Sequence, residues 1–259
     1  MRRRQLFEFN DQPWLPPVLR DAMIESLGRG IRWGHYFDRL VPPFVEFLRQ
    51  ARSDRILDLC SGGGEPLSVF LDALVEQHQP LPDVVMSDLF PNVPSLARVA
   101  SRYPGRVSFI PDPVDATNVP PDLSRPVRTY INCMHHFPPE LVRRMLADCV
   151  ASRSAVFVIE SFPRNLRRAV AQAPSLIAAA LANPLLSPSR QLTKALLTYA
   201  GPVFWFGAFD WFASVCRIHM PHELLTIAKT VDQGSYAWRH GTAPFPFGGQ
   251  SLWFAGLPM

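Results

Sequence analysis

The sequence predicts an α/β fold, a parallel sheet with helices on both faces that ends in an antiparallel strand pair. Three observations predict it. From residue 52 onward, five short apolar runs alternate with amphipathic stretches of helical period. The first run breaks into Gly62, Gly63 and Gly64 before a helix restarts, a strand-to-helix turn that lets a ligand approach the backbone closely. The last two apolar runs are separated only by turn-forming residues, so they read as neighbours in space.

The elements follow in order. "RILDLC" (55–60) is a strand in which Ile56, Leu57 and Leu59 are apolar and Asp58 interrupts. Pro66 stands where a first helical residue tolerates a missing N–H, and Leu67, Phe70, Leu71 and Leu74 recur at helical spacing. "DVVMSDL" (83–89) is the second strand, followed by a helix near residues 93–102, and "RVSFIPDPVDA" carries the third. "VRTYINCM" (127–134) is the fourth, "PPELVRRMLADCVA" a helix with Leu141, Met145 and Leu146 inward, and "SAVFVIES" (154–161) the fifth. A helix "MPHELLTIAKTV" then precedes the strands "SYAWRHG" and "SLWFAGLPM", joined through "TAPFPFGGQ". In such sheets ligands bind at the carboxyl ends of the strands, where the strand order switches.

Two segments stand outside this rhythm. Residues 1–50 are rich in proline and aromatics, with helices expected around 18–27 and 42–50, and residues 163–215 form a long apolar insertion. Both need something to cover, and together they are expected to form a lid over the carboxyl edge of the sheet. The organisation expected is thus an N-terminal helical lid segment, 1–50, and a main domain, 51–259, carrying the insertion.

Composition narrows the function. The 26 Lys and Arg against 22 Asp and Glu leave a formal charge of +4, spread along the chain apart from Arg2, Arg3 and Arg4. That triplet reads as a solvated terminus, and without a basic stripe no nucleic-acid partner is expected. Cys60, Cys133, Cys149 and Cys216 show no metal-ligand spacing and read as reduced, buried thiols of a cytoplasmic protein. The opening "QLFEFNDQPWLPP" is too polar and proline-broken for a signal-peptide core. Residues 196–215 are long and apolar enough to raise membrane contact, but Pro202 and Asp210 lie inside, and a buried or substrate-facing segment is the favoured reading.

Two cofactor classes use a glycine turn after the first strand. A dinucleotide site wants G-x-G-x-x-G/A, and from Gly62 the third small position falls on Leu67, which does not fit. The other pattern is carried by "LDLCSGGG", "VMSDLFPN", "DPVDATN" and "NCMHHFPPE", followed by the antiparallel pair. This ordered set, over roughly residues 55 to 259, resembles the class I (Rossmann-like) S-adenosylmethionine-dependent methyltransferases, in a bacterial small-molecule subgroup. Cys60 departs from the family pattern, standing where its motif has a first glycine.

The resemblance implies a seven-stranded sheet, S-adenosyl-L-methionine as cofactor, and a set of binding residues. The turn Cys60, Ser61, Gly62 and Gly64 would face the methionine part of the cofactor, with Asp58 supporting the turn or touching the amino group. Asp88 would hold the ribose hydroxyls with Leu89 beside it, and Asp115 with Ala116 would face the adenine. Cys133 and Met134 would line the site at the fourth strand, and Tyr36 would close over it from the N-terminal segment. Methyl transfer needs alignment, exclusion of water and, for a hydroxyl or acidic carbon, a base. His136 is the first candidate base because histidine titrates near neutral pH, and His135 is the second. Glu160 would position a polar group or pair with a basic lid residue, and Arg217 is a further catalytic candidate. Trp205, Phe206, Phe209, Trp211 and Phe212 line either an apolar substrate pocket or plain core.

The function expected is methyl transfer to a small, largely apolar or aromatic metabolite in secondary metabolism. Two alternatives stand beside it. One is a methyltransferase-like protein that uses the cofactor for cyclisation or decarboxylation. The other is a non-catalytic binding or membrane-associated protein with this fold. Oligomeric state is left open.

Overall fold

The structure is a computed structural model describing residues 1–259. Its centre is one seven-stranded sheet in the order β3-β2-β1-β4-β5-β7-β6. The strands are β1 (Arg55–Leu59), β2 (Asp83–Ser87), β3 (Val107–Phe109), β4 (Val127–Ile131), β5 (Ala155–Glu160), β6 (Tyr236–Phe245) and β7 (Gly249–Pro258). β1 to β5 run parallel, and β7 pairs antiparallel with both β5 and β6. The order reverses between β1 and β4, so the switch point lies where the glycine turn leaves β1.

Side-chain alternation assigns the two sheet faces. Ile56 and Phe157 point to one face and Leu57 and Val156 to the other. The first face is covered by α2 (Val41–Ala51), α3 (Glu65–Glu76) and α4 (Val93–Arg102). There Phe44 meets Phe70 and Phe157 edge-on, at ring centroids of 4.9 and 5.1 Å. The second face is covered by α5 (Pro139–Ala151) and α10 (Pro221–Val231), through Val142, Met145, Leu146, Leu224 and Ala228. All six residues of β5 are buried, as a central strand covered on both faces requires.

Three expectations are corrected here. The inward stripe of α5 is Val142, Met145, Leu146 and Cys149, with Leu141 only half-buried. The β6–β7 connection shrinks to Pro246–Gly248, because strand pairing continues through Phe245 and resumes at Gly249. The boundary at residue 50 does not mark a change of packing. α2 belongs to the sheet's own covering layer, and so do Tyr36 and Phe37, buried in the same core as Phe70.

The remaining helices are α1 (Pro17–Trp33), α6 (Leu166–Ala169), α7 (Ala173–Leu186), α8 (Gln191–Tyr199) and α9 (Pro202–Arg217). α1 packs along α7 and touches α3, α8 and α9. Two glycines of α1 permit this. At Gly28 a Cβ would lie 3.1 Å from Glu65 Cβ, and at Gly30 a Cβ would lie 3.2 Å from the Leu176 backbone.

Candidate functional site

The glycine turn, Asp88, Cys133 to His136 and Glu160 sit at the carboxyl ends of β1, β2, β4 and β5. After β1 the chain turns through Cys60 (φ 59°), Gly62 (φ 55°) and Gly64 (φ 81°). Gly64 is required: its φ is left-handed, and a Cβ would come within 3.0 Å of Met86 Sδ and 3.1 Å of Val99 Cγ2. A Cβ on Gly62 would meet nothing within 4 Å, so the turn presents bare backbone to open space. The Gly63 N–H donates to no protein acceptor, and it stands just before the positive end of α3. Cys60 itself adopts the left-handed conformation, against the preference of a residue with a side chain.

Asp58 is buried, and both its oxygens are engaged. Ser61 Oγ donates to Oδ2 at 2.6 Å and Thr129 Oγ1 donates to Oδ1 at 2.6 Å. Burial pushes its carboxyl up to about 7 in spite of these bonds. Asp58 is therefore a strut joining β1, the turn and β4. Ser61 completes the strut, its N–H donating to Ser87 O at 3.0 Å.

At the end of β2, Asp88 accepts the Gly62 N–H at 2.7 Å and the Phe90 N–H at 2.8 Å. The carboxylate and the glycine turn are thus in direct contact, as a site using both would need. The Val114 N–H reaches back to Asp88 O at 2.9 Å, which brings exposed Asp115 and buried Ala116 beside this strand end. Asp115 accepts the Thr117 N–H at 2.8 Å, a turn-forming contact. Cys133 is buried, its Sγ directed at Leu59 O, and Met134 is buried in the core of the second face. Leu89 is exposed, and Phe90, which belongs to no residue set expected from the sequence, is 83% exposed close to Asp88. An aromatic two residues after the strand-end acid was the signal for it.

Tyr36 lies elsewhere. Its hydroxyl donates to Gln172 O at 3.0 Å and pairs with Ser175 Oγ at 2.6 Å, while its ring stacks on Phe245 at 4.4 Å. These contacts place it in the core near β6 and β7 and not over the glycine turn.

At the ends of β4 and β5, His135 and Glu160 form a buried pair. Glu160 Oε2 meets His135 Nδ1 at 2.7 Å, and Oε1 accepts the His135 backbone N–H at 3.0 Å. Glu160 offers only acceptors to these two contacts, so Nδ1 carries a proton, and in the neutral ring that tautomer leaves the lone pair on Nε2. Glu160 thus orients His135 instead of meeting a substrate or a basic lid residue. His136 stacks on His135 with ring centroids 4.3 Å apart, but its Nδ1 is bound by Asp11 at 2.9 Å. Arg217, read as a catalytic candidate, is committed to Glu8 and Asp11 at 2.9 and 2.8 Å.

The partners of these last residues come from the N-terminal strap, residues 3–11. Arg3 donates to Phe137 O at 2.7 Å, and Gln5 to His136 O at 2.9 Å. The Phe9 and Asn10 N–H groups donate to the Asp210 carboxylate at 2.7 and 2.9 Å. Arg3 is therefore half-buried and tied down, and burial together with Arg217 and Arg164 lowers its pKa to about 10. Local sequence pattern gave no sign of these contacts, which join residues more than a hundred positions apart. Glu8, His135 and His136 each bring a donor atom within 4.8 Å of the others. Within this group Glu8 Oε1 is taken by Arg217 and by Ser214 Oγ, both at 2.9 Å, and His136 Nδ1 by Asp11.

The strap carries a pH signature. Burial pulls the His136 pKa down, but the Asp11 bond and the Glu8 charge outweigh it, and the net shift is upward against nearby Arg217. Burial likewise pushes Asp11 up, yet His136 and Arg217 hold it down at about 2. The raised histidine stabilises the strap fully below its unfolded pKa, about 6.5, and loses that contribution as pH rises through the higher folded value. The depressed aspartate contributes above about 4 and is lost as pH falls towards 2. Limited proteolysis of residues 1–16 should therefore be slowest between about pH 4 and 6.5 and quicken above neutrality. His136→Ala should remove the rise above neutrality; an unchanged profile in that variant would assign the effect to another group.

No family model matches the chain, and no curated protein matches it. Solved structures do. The plantazolicin methyltransferase BpumL, in complex with SAH, superposes with a TM-score of 0.50 at 11% identity, over 96% of this chain and 92% of its own. The chain has the class I methyltransferase fold. The S-adenosylmethionine-dependent methyltransferase SibL, in its apo form, gives 0.52 at 13% identity over 88% of this chain and 56% of its own. The O-methyltransferase NcsB1 from neocarzinostatin biosynthesis, with SAH and 1,4-dihydroxy-2-naphthoic acid, gives 0.52 at 13% identity over 94% and 59%. This chain thus spans little more than half the length of SibL and NcsB1. In this class I fold, the Gly62–Gly64 turn, Asp88 and the His135–Glu160 pair stand at one carboxyl edge of the sheet.

Proposed function

We propose that this chain is an S-adenosylmethionine-dependent methyltransferase acting on a small, largely apolar or aromatic molecule, in secondary metabolism. The observation that carries the reading is the contact between the bare Gly62 turn and Asp88, 2.7 Å, at the switch point of the sheet. The cofactor's carboxylate would meet the Gly63 N–H and the start of α3, and Asp88 would exchange its backbone partners for the ribose hydroxyls. Phe90 and Leu89 would cover the adenine, with Asp115 at its edge. His135 is the base, through Nε2, and Glu160 holds its tautomer. His136 and Arg217 anchor the strap, so their part is to exclude water from the reacting sulfonium. Residues 3–33 with α7–α9 act as the lid. The naphthoic-acid ligand of NcsB1 and its place in neocarzinostatin biosynthesis support the substrate class.

Calorimetric titration with S-adenosylhomocysteine tests the cofactor site. Asp88→Ala should weaken binding roughly ten- to a hundred-fold, the effect of losing about 1.5–3 kcal/mol of charge-assisted hydrogen bonding. Unchanged affinity would remove Asp88 from the ribose role. Incubation with S-adenosylmethionine and a panel of hydroxylated aromatic acids, read by mass, then tests the reaction. A methyl adduct and S-adenosylhomocysteine appear together only if transfer occurs.

A further inference from the structure

The helices α7, α8 and α9 carry large apolar residues on the side turned away from the protein, and each also buries polar residues on the side turned toward it. On α7, Asn183 is buried against α1 while Ile177, Leu181 and Leu185, one stripe at fourfold spacing, are exposed. On α8, Lys194 and Thr198 are buried and Leu192, Leu196 and Tyr199 are exposed. On α9, Asp210 is buried under the strap while Trp205, Phe209 and Phe212 are exposed. The exposures are large, 73% at Leu185, 76% at Leu192 and 77% at Trp205. A helix packed on a protein and facing water shows the opposite arrangement.

The stripes adjoin. The Tyr199 hydroxyl donates to Leu181 O at 2.9 Å, joining α8 to α7, and α8 packs on α9. Exposed Phe7 extends the patch from the strap, its ring 6.3 Å from that of Phe209. Charge follows the same surface. Between residues 163 and 222 the one acidic residue is Asp210, and the Phe9 and Asn10 amides occupy it. Exposed Arg167, Arg168 and Arg190 flank the stripes and make no ion pair with any acidic side chain.

We propose that the α7–α9 face docks on the surface of an anionic lipid bilayer, with the three helices lying in the interfacial plane. Leucine, tryptophan and phenylalanine side chains enter the acyl boundary, and Arg167, Arg168 and Arg190 meet lipid phosphates. Apolar area combined with unpaired cationic charge is what an anionic interface selects. A second copy of this chain fits less well, because a two-fold contact would set six unpaired arginines near one another. Spanning fits less well too. Leu166–Leu186 is apolar and long enough by composition, with 28% of its most apolar window buried. To cross a bilayer it would have to abandon the Gly30–Leu176 contact and bury Asn183 in lipid. The inference concerns the outer face of helices assigned to the lid and uses none of the Gly62–Gly64 turn, Asp88, His135 or Glu160, so vesicle binding and turnover can fail independently.

Vesicle sedimentation with the full chain tests it. The protein should pellet with phosphatidylglycerol-containing vesicles, much less with pure phosphatidylcholine, and be released by high salt. Arg167→Gln, Arg168→Gln and Arg190→Gln combined should weaken partition roughly a hundredfold, from about 1 kcal/mol per basic residue near the surface. Leu192→Ser with Trp205→Ser should weaken it at least tenfold while the melting temperature holds. Lipids with brominated chains should quench tryptophan emission of the unmodified protein, a readout that needs no variant. A monodisperse protein that ignores anionic vesicles would overturn the proposal. So would a dimer in light scattering that the Leu192 and Trp205 substitutions dissociate.

Discussion

His135→Ala is expected to lower kcat by a factor of about 10²–10⁴ while leaving S-adenosylhomocysteine affinity unchanged, the effect of removing a positioned general base. The affinity holds because His135 touches β5 and not the glycine turn. Glu160→Gln gives the sharper result. Glu160 accepts from two donors of His135, the backbone N–H at 3.0 Å and Nδ1 at 2.7 Å. An amide offers one acceptor and one donor, so one of those contacts must become donor against donor unless the ring changes tautomer. In the other tautomer Nε2 carries the proton and no longer serves as a base. Glu160→Gln should therefore lose most of the rate with KM nearly intact, and the acid limb of the pH–rate profile should change with it. His136→Ala should lose far less. Full turnover by the His135 variant, or an equal loss in the His136 variant, would move the base elsewhere.

The second large effect concerns stability. Lys194 is 1% exposed, and its ammonium meets both oxygens of Glu25 at 2.8 and 2.9 Å. Glu25→Ala leaves that charge buried and unpaired, which costs about 3–5 kcal/mol. For a chain of this size the melting temperature should drop by on the order of 10 °C. Replacing both partners, Glu25→Gln with Lys194→Met, should recover most of the loss, because two buried charges are then never desolvated. The order of variants is the test: a Glu25→Ala protein as stable as the parent would mean that α8 detaches freely from α1. Arg128, fully buried on β4 and paired with Asp148, follows the same logic inside the main domain.

Local pattern carried much of the architecture. The glycine turn, the strand-end acid at Asp88 and the strand-end pair His135–His136 were legible because each is a short motif set by backbone geometry. Gly64 must be glycine where the chain turns left-handed against Met86 and Val99, and an acid must end β2 where bare N–H groups face it. The roles within the pair of histidines were not legible. Which one is held by a strand-end carboxylate depends on Glu160, 25 residues away on the next strand, and which one is held by the strap depends on Asp11, 125 residues away. Tyr36 was misplaced for the same reason: an aromatic near the N-terminus fits a lid or a core equally, and its hydroxyl partners, Gln172 and Ser175, arrive from a distant segment.

The amino-acid sequence by itself determined the class of fold, the order of its strands and helices, and the gathering of the glycine turn, Asp88 and the histidine pair at one end of the sheet. Periodicity, turn chemistry and capping act over a few residues, so the chain states them directly. Tertiary structure alone decided that the strap of residues 3–11 closes over the histidines, that Glu160 serves His135, and that α7–α9 turn their leucines outward. Those outcomes come from which distant charges and faces meet when the chain collapses. An apolar helix reads alike in sequence whether its stripe meets a core or lipid, because periodicity records that a face is apolar and not what covers it.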